Sequence, residues 1–386
     1  MLSRSIVVQS LRSIRERFFD TRRQGNEQSD DQGPGNVVTG PSLDNVPVDM
    51  QFLIMTFLSP QDLCRLGSTS TYWRSMVRDP VLWKYFLLRD MPLWQSVDHS
   101  SVPQVKLTGS AVLDDSEMQL DYMAEYLRVC PACRNQWQHQ PRVFESVTSF
   151  FQSLVPVSEP QFAMFGPGLE QLEISLMNTI MCSPHVLPVA GLPQRQIDGA
   201  TVPLLIVNSS IGSGISFKYK DQHRFNIATL YSTNSLCLWI FRSARERARL
   251  EHLNLRSKLF VYEEDSESNI PLSINPMFNQ VCQAVNGFIF VVNAETERDR
   301  GWEEESAQIR VILDPAVGAL SHPILVLSCV SRETADRRRI PCVTVAHQLQ
   351  LGSLTNPWMV QDTSAETLTG LLDGIDWLLR HSGVKL

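Results

Sequence analysis

Two stretches in the second half of the sequence, Gly287-Phe-Ile-Phe-Val-Val-Asn293 and Pro323-Ile-Leu-Val-Leu-Ser328, decide the fold class. Their apolar positions are continuous, which is typical of parallel strands that are buried on both faces. Short apolar runs like these alternate with helical stretches along residues 159–386. This alternation predicts a doubly wound α/β domain in which helices cover a central sheet.

An earlier strand, predicted at 215–220, has a different pattern. Its apolar residues Ile215, Phe217 and Tyr219 alternate with polar ones, as in an edge strand with one solvated face. An exposed sheet edge can accept a strand from another chain, so these three residues are candidates for substrate binding. Core packing is the alternative interpretation of the same alternation.

A second candidate surface is the segment 340–346, Ile-Pro-Cys-Val-Thr-Val-Ala. It is rich in β-branched residues at a place where an α/β fold needs a helix. Its candidate contact residues are Ile340, Cys342, Val345 and Ala346, of which Cys342 and Ala346 are small enough to allow another chain to approach closely. Here, too, core packing is the alternative.

Length and composition limit the classes of function. The chain has 386 residues, of which 43% are hydrophobic and 19% are charged, enough to form cores in two or three domains. Its 34 basic and 41 acidic side chains give a net charge of -7, so the composition argues against nucleic acid or anionic lipid as a partner. No apolar run approaches the roughly 20 residues that a membrane-spanning helix needs.

Eight cysteines are scattered along the chain, and no hydrophobic signal core stands at its start. This usage predicts free thiols in the cytoplasm or the nucleus. The pair Cys130-Pro-Ala-Cys133 is interpreted as two ordinary cysteines at a helix end, because a structural zinc site needs four ligands and only His139 is near in sequence. The histidines form no nucleophilic constellation, so no catalytic residue, cofactor or metal is predicted.

Residues 1–42 are predicted to contain a short basic amphipathic helix followed by a polar, Gly-rich linker. Val7, Leu11, Ile14 and Phe18 share one helical face, and arginines occupy the rest of the helix. The sequence leaves three roles open for this segment: a dimerisation or docking helix, a mitochondrial transit peptide, or a loosely ordered tail.

Residues 43–95 are predicted to form four short helices, separated at Ser59-Pro60, at Ser70 and at Asp79-Pro80. About fifty residues cannot bury so much apolar surface by themselves, and the surplus indicates a protein partner. The following residues, 96–158, are predicted to be a mostly helical linker.

The same region carries Val46-Pro47-Val48-Asp49, Phe57-Leu58-Ser59, Tyr72-Trp73 and Asp79-Pro80-Val81-Leu82-Trp83. In order and spacing these motifs resemble an F-box, with Val at the first position where the family usually has Leu. The resemblance implies docking on the SKP adaptor and, through it, on the cullin scaffold of an SCF ubiquitin ligase. The adaptor-contact positions that it implies are Pro47, Ile54, Leu58, Leu63, Leu66, Trp73 and Trp83. Internal core packing is the alternative for each of them.

The end of the chain resembles another family. Val360 to Ala365 and Gly370 to Leu378 resemble the last strand, guanine-base loop and final helix of small GTPases of the ADP-ribosylation-factor type. Gly287 to Asn293 and Pro323 to Ser328 resemble their fourth and fifth strands. The resemblance implies a small-GTPase-like fold for residues 159–386.

The phosphate-binding loop of that family is absent. At its lysine and hydroxyl positions the chain has Leu172 and Glu173, which can bind neither phosphate nor magnesium as that loop does. Glu170 and Glu173 also place negative charge where phosphate would lie. We therefore expect a GTPase fold used as a binding surface, and a guanine-nucleotide-regulated switch is the alternative.

An F-box followed by such a domain is identified as a non-catalytic substrate receptor of the SCF ubiquitin ligase family. The resemblance implies that residues 159–386 capture the telomeric repeat-binding factor for ubiquitination and degradation, which would connect the protein to telomere maintenance. Cyclin D is a less secure second substrate, and a homodimer is left open. The apolar stretches 201–210 and 235–241 depart from the expected pattern, and their structure is not predicted.

Overall fold

A computed structural model of the chain describes the following residues: 43, 46–103, 120–133, 159–191, 194–197, 200–203, 214–220, 223–231, 259–262, 271–295, 301–314, 321–333 and 339–383. The chain divides into two compact units. The first, the helical unit, contains Met1–Leu93 and Pro103–His139, and the second, the α/β unit, contains Trp94–Val102 and Gln140–Leu386.

The described helices of the helical unit are α1 (Val48–Phe57), α2 (Pro60–Thr69), α3 (Thr71–Val77), α4 (Pro80–Asp90) and α5 (Tyr122–Val129). Polar residues just before three of them accept backbone hydrogen bonds, Ser59 for α2, Ser70 for α3 and Asp79 for α4. Such caps satisfy N–H groups that have no partner inside the helix. The prediction of four short helices is confirmed.

The core of the helical unit is built around Trp83. This side chain is 0% exposed, and its Nε1 donates a hydrogen bond to the Val77 carbonyl at 2.6 Å. Its ring centroid lies 5.7 Å from that of Phe86 and 5.3 Å from that of Tyr126. Because Tyr126 belongs to α5, a helix beyond the predicted F-box completes this core.

The described strands are β1 (Ser96–Asp98), β2 (Gln161–Phe165), β3 (Val189–Gly191), β4 (Gln194–Ile197), β5 (Ala200–Pro203), β6 (Ile215–Tyr219), β7 (His223–Thr229), β8 (Phe260–Tyr262), β9 (Pro271–Ile274), β10 (Gly287–Asn293), β11 (Ile324–Val330) and β12 (Trp358–Ser364). The helices of the α/β unit are α6 (Gly168–Gln171), α7 (Leu176–Cys182), α8 (Pro276–Ala284), α9 (Trp302–Ile312), α10 (Cys342–Gln348) and α11 (Leu371–His381).

Eight strands form one mixed sheet in the order β1-β12-β11-β10-β2-β7-β6-β3. The strands from β12 to β7 are parallel to their neighbours, and β1, β6 and β3 are added antiparallel at the two sides. Every residue of β10 and β11 is buried, and Phe288 pairs with Ile324 in their parallel register. The predicted α/β class and the two central strands are confirmed.

The sequence predicted β6 as an edge strand, and this prediction is wrong, because β6 has a neighbour on each side. The strand β3 pairs with it on the outer side, with Val189 opposite Phe217, and the Lys218 N–H donates to the Pro188 carbonyl at 2.8 Å. The polar positions that suggested solvent are partly covered too, since Ser216 is buried. Three residues of a short strand were sufficient to cover this edge, and so short a strand leaves little periodicity in the sequence.

The opposite edge corrects the prediction of a mostly helical linker at 96–158. Ser96–Asp98 is the strand β1, which pairs antiparallel with β12 so that Ser96 lies opposite Gln361. The edge of β12 has backbone N–H and C=O groups that need partners, and β1 supplies them. Two further groups of predictions, the N-terminal helix in 1–24 and the apolar stretches 204–210 and 235–241, lie outside the described residues.

Candidate functional site

The first helix of the F-box region has apolar residues on two opposite faces. Phe52 and Met55 are fully buried. On the other face, Met50 is 48% exposed and Phe57 is 82% exposed, with the half-buried Ile54 between them. Because positions i, i+4 and i+7 share a helix face, Met50, Ile54 and Phe57 form one apolar strip at the surface. Together with the exposed Pro47 that precedes the helix, they are referred to below as the α1 stripe.

The predicted adaptor-contact residues separate into two groups. Pro47 is exposed, and Ile54, Leu58 and Leu66 are half-buried, so all four can contact a partner. Met50 and Phe57, which the resemblance did not single out, are more exposed than any of these half-buried residues. Their spacing from Ile54 was the available signal, since a short helix that is apolar all round must leave one face uncovered.

The predicted contacts at Leu63, Trp73 and Trp83 are not on the surface. Leu63 and Trp83 are fully buried, and Trp73 is nearly so. The indole N–H of Trp83 is already bonded inside the unit. Large aromatic rings contribute most to a small core, which is why these residues are internal in this arrangement. Adaptor contact through them stays a prediction that would need the helices to move.

The C-terminal end of α1 is held by a chain of polar contacts. Arg89 donates from Nη1 to the Thr56 carbonyl at 2.7 Å and pairs with Asp90 at 2.5 Å. The Tyr126 hydroxyl donates to Asp90 at 2.7 Å, and burial, followed by this hydrogen bond, raises the pKa of Tyr126 well above its usual range. The direction of α1 therefore depends on α4 and α5.

The carboxyl ends of the parallel strands are where an open α/β sheet usually binds its ligand. In this unit the loop after β2 turns at Gly166, whose φ of +121° suits glycine. A Cβ at Gly166 would lie 2.6 Å from the Val291 carbonyl oxygen. The helix that follows, α6, is only four residues long. The turn therefore brings the backbone close to Val291, as a glycine allows, but it lacks the side chains that bind phosphate.

Side chains of the unit itself connect the loops at this end of the sheet. The Glu173 N–H donates to Ser331 Oγ at 3.0 Å, and the Ser331 N–H donates to Glu295 Oε1 at 2.6 Å. Arg332 lies 4.0 Å from the Glu173 carboxylate and 3.4 Å from that of Glu366. Two carboxylates, those of Glu173 and Glu366, flank this arginine, and their negative charge opposes the binding of phosphate.

A buried carboxyl lies on β12 behind this surface. Asp362 is paired with Arg339 at 3.3 Å, and Arg339 also donates to the Thr363 carbonyl at 2.8 Å. Burial raises the pKa of Asp362 to about 6, although the charge of Arg339 opposes the shift. Because Arg339 uses its donors on β12, this pair is a structural clamp on that strand.

The second candidate substrate surface, 340–346, is in the core. Cys342 and Val345 are fully buried, while Ala346 and Ile340 are nearly so. Residues from Cys342 onward form the helix α10 that the α/β fold requires, and the Cys342 thiol donates to the Trp94 carbonyl at 3.1 Å. Substrate contact through these side chains would need α10 to move, and the core interpretation fits their placement.

The first candidate surface is also largely internal. Phe217 is fully buried and Tyr219 nearly so, while Ile215 is half-buried. The Tyr219 hydroxyl donates to Asp376 at 2.5 Å. Exposed apolar residues near this side of the sheet are Met181 at the end of α7 and Val189 on β3.

Among the residues that the structure describes, no group of three or more His, Cys, Asp or Glu side chains is placed to hold a metal ion. Cys130 and Cys133 are described, whereas His139 lies outside the described residues. The part of the chain that is described also contains no helix with the length and apolarity needed to cross a membrane.

Comparison with known proteins gives two kinds of match for parts of the chain. A family model described as F-box-like matches residues 43–89, which confirms the predicted F-box. ADP-ribosylation factor F of Dictyostelium discoideum is 28% identical over 137 residues, 35% of this chain and 67% of that protein. The solved Arl6 small GTPase of Trypanosoma brucei aligns with 58% of this chain and 98% of its own, at a TM-score of 0.33 and 14% identity.

Relatives that match most of the chain are curated under one name. F-box only protein 4 of Bos taurus is 47% identical over 343 residues, which are 88% of this chain and 84% of the relative. The Homo sapiens protein of the same name is 46% identical over the same shares. An F-box implies partnership with the SKP adaptor and the cullin scaffold of an SCF ubiquitin ligase. On this similarity along nearly its whole length, the chain belongs to the family of F-box only protein 4.

Proposed function

We propose that this protein is the substrate-recognition subunit of an SCF ubiquitin ligase and that the α1 stripe is the part of its F-box that docks on the SKP adaptor. The observation that carries the proposal is the exposure of Phe57, at 82%, on the same helix face as Met50 and Ile54. A monomeric protein rarely leaves a contiguous apolar strip in water unless a partner covers it.

The proposed contribution of the protein is positional. A receptor that holds a substrate beside the ubiquitin-charged enzyme raises the effective concentration of a substrate lysine at the thioester. This role needs two binding surfaces and no acid, base or nucleophile in the receptor itself. The carboxylates and the paired Arg332 at the strand ends fit a surface without phosphate chemistry.

Adaptor docking is tested by calorimetric titration of the full chain with the SKP adaptor. Replacing Phe57 and Ile54 together by Asp should abolish saturable binding, because two carboxylates would have to be desolvated in an apolar interface. Phe57 is exposed and Ile54 is half-buried, so a circular dichroism spectrum is recorded to check that the double variant keeps its fold. The matched control is Val189→Asp, an equally abrupt change at an exposed apolar residue of the α/β unit. Full adaptor affinity in the Phe57/Ile54 variant would refute the role of the α1 stripe.

For the substrate we propose the telomeric repeat-binding factor, held at the outer edge of β3. In the described sheet β3 has a neighbour only on its β6 side, and Val189 is 42% exposed there. Among the atoms of the described residues, none lies within 4 Å of the position of a Cβ at Gly191. These features support the addition of a substrate strand, and they replace β6 as the candidate edge. Cyclin D is a further candidate substrate at the same edge.

Substrate capture is tested by titrating the full chain with the dimerisation domain of the telomeric repeat-binding factor. The variant Val189→Asp should lose at least about tenfold in affinity, since its carboxylate would lie beside a side chain of the added strand on the same face of the sheet. The Phe57/Ile54 double variant should bind this substrate normally, so the two variants have opposite defects. Binding that is unaffected by Val189→Asp would exclude the β3 edge, and no binding by the unaltered chain would exclude this substrate.

We also propose that the protein works in the cytoplasm and the nucleus. Seven cysteines lie among the described residues, and all of them have free thiols, which fits a reducing compartment. Imaging of the full chain and of a chain lacking residues 1–24 tests this: mitochondrial location that depends on those residues would contradict it. Light scattering of the same two proteins tests whether this segment makes a homodimer.

A further inference from the structure

Cys130 and Cys133 stand at the junction of two helical segments in the helical unit. The Cys130 N–H closes α5 by donating to the Tyr126 carbonyl at 2.9 Å, and residues 131–133 begin a new helical turn. Pro131 is therefore at the first position of that turn, where its missing N–H costs nothing. The spacing Cys-Pro-Ala-Cys brings the two sulfurs together, and the Cys133 side chain forms a hydrogen bond with that of Cys130.

The surroundings of the two sulfurs shift their pKa values in opposite directions. The Cys130 sulfur also accepts hydrogen bonds from the backbone N–H groups of Ala132 and Cys133 and lies beside the Tyr126 hydroxyl, whose proton is directed to Asp90. The bond from Cys133 and these donors lower the pKa of Cys130 to about 6, against the opposing effect of burial. The pKa of Cys133 is raised, first by its bond to Cys130 and then by burial. Of the two sulfurs, Cys130 is thus the one that loses its proton more readily, and Cys133 holds its proton more tightly.

We propose that Cys130 and Cys133 are a reversible dithiol–disulfide site, oxidised by hydrogen peroxide and reduced by a small dithiol. The Cys130 thiolate attacks one peroxide oxygen, the O–O bond breaks, and the products are a sulfenic acid and, after protonation, one water. The Cys133 sulfur then attacks the sulfenic sulfur, the S–S bond forms, and a second water leaves with the Cys133 proton. Two thiols lose two electrons in total, which the peroxide takes up.

The site is connected to the F-box through contacts already described. Tyr126, whose hydroxyl lies beside the Cys130 sulfur, lies against the Trp83 ring and donates to Asp90. Asp90 holds Arg89, and Arg89 holds the end of α1 at Thr56. The other cysteine that acts on the pair is Cys64 of α2, which is exposed. The inference concerns this thiol chemistry and does not depend on the proposed substrate or adaptor.

The sequence provides a direct test. Trypsin cuts after Arg128 and Arg134, so both cysteines fall in one peptide, residues 129–134. After graded hydrogen peroxide, quenching and alkylation of the full chain, this peptide should lose the mass of two hydrogens and all of its alkylation. It should do so while Cys64 and Cys182, which are exposed, are still alkylated. Dithiothreitol should restore both alkylation sites.

Two variants separate this site from its neighbours. Cys64→Ser should leave disulfide formation in the peptide 129–134 unchanged. Cys133→Ser should prevent it and leave a Cys130 sulfenic acid that dimedone labels. A Cys64–Cys133 disulfide, or a peptide that stays fully alkylated after Cys64 and Cys182 are oxidised, would overturn the proposal. Because the mass measurement uses the unaltered chain, the outcome stands even where a variant fails to fold.

Discussion

The first helix of the helical unit and the central strands of the α/β unit are both rich in apolar residues, but only the strands bury all of them. In α1, burying Phe52 and Met55 leaves Met50 and Phe57 in water, because none of the described helices of the unit covers the second face. In β10 and β11 every residue is buried, because helices cover both faces of the sheet. Continuous apolarity therefore indicates a core only where the fold can cover it on both sides, and a docking surface elsewhere.

The two units also differ in the chemistry of the surfaces that are candidates for binding. The α1 stripe is apolar and exposed, whereas the strand ends of the α/β unit hold Glu173, Arg332 and Glu366 in ion pairs. Exposed ion pairs add little stability, about 0–1 kcal/mol each, so their main effect here is on which ligand can approach. The surface of α1 in the helical unit therefore suits an apolar partner, and the strand ends of the α/β unit oppose the approach of phosphate.

The largest effect that we expect is in the core of the helical unit. Trp83→Ala removes a fully buried indole and its hydrogen bond to Val77, and it should lower the free energy of unfolding of this unit by about 3–5 kcal/mol. A small helical unit has little more stability than that. The loss is measured by chemical denaturation, with unfolding monitored by the helical circular dichroism signal because it does not require the removed tryptophan.

The matched control for this change is Phe57→Ala, which removes an aromatic ring that is 82% exposed. It should alter the unfolding free energy by no more than about 0.5 kcal/mol while weakening the adaptor complex. If both variants lost similar stability, the distinction between a buried core and an exposed stripe in this unit would be wrong.

In the α/β unit we expect a large effect at the turn between β12 and α11. Gly370 has a φ of +79°, and a Cβ there would lie 2.1 Å from the Asp362 carbonyl oxygen. Gly370→Ala therefore combines backbone strain with a clash against backbone, and it should cost about 3 kcal/mol. Gly383→Ala is the control, because Gly383 has a φ of +88° with nothing within 4 Å, so only the strain of about 1 kcal/mol remains. Equal melting temperatures for the two variants would contradict the close approach.

The clamp on β12 should make stability depend on pH. The pKa of Asp362 is about 6 in the folded protein and about 4 in an unfolded chain, so the folded state binds the extra proton between these values. The stabilising contribution of Asp362 is thus fully present below pH 4 and is lost as the pH rises through 6. As the pH rises from 4 to 7, the free energy of unfolding of Asp362→Asn should increase by about 2 kcal/mol relative to that of the unaltered chain.

Denaturant titrations at several pH values measure this difference. Asp373→Asn, at an exposed carboxyl on α11, is the control for removing one carboxylate from this unit. If the difference between Asp362→Asn and the unaltered chain were constant with pH, the carboxyl would not be desolvated by burial, and its pairing with Arg339 would control its titration instead.

Sequence reasoning was most successful where local signals and packing agree. The caps at Ser59, Ser70 and Asp79 mark the helices α2 to α4, and the apolar runs mark β10 and β11. It was wrong at the edges of the sheet. The strands β1 and β3 are three residues each, and they pair because an open edge is nearby in space, which no local pattern records.

The site residues show the same limit. Motif resemblance identified the exposed Pro47 and the half-buried Ile54 together with Leu63 and Trp83, which are buried. A motif preserves residues for the fold and for the partner alike, so it does not separate the two groups. Helical spacing does separate them, since Met50, Ile54 and Phe57 share the face opposite to Phe52 and Met55. The sequence pattern of residues 340–346 does not reveal their burial either, because that burial depends on the three-dimensional arrangement around α10.

The smallest effect that we expect is that of guanine nucleotide on the α/β unit. A ligand present at a hundred times its dissociation constant would stabilise the folded chain by about 2.7 kcal/mol. We expect no rise in melting temperature with millimolar magnesium–GTP, because Glu173 and Glu366 surround Arg332. An ADP-ribosylation factor in the same assay is the positive control. Neutralising the surface with Glu173→Gln should still give no shift, since the lysine and hydroxyl of a phosphate loop are absent as well. A shift in the unaltered chain would revive the nucleotide-regulated switch, and a shift only after neutralisation would mean that charge alone closes this end of the sheet.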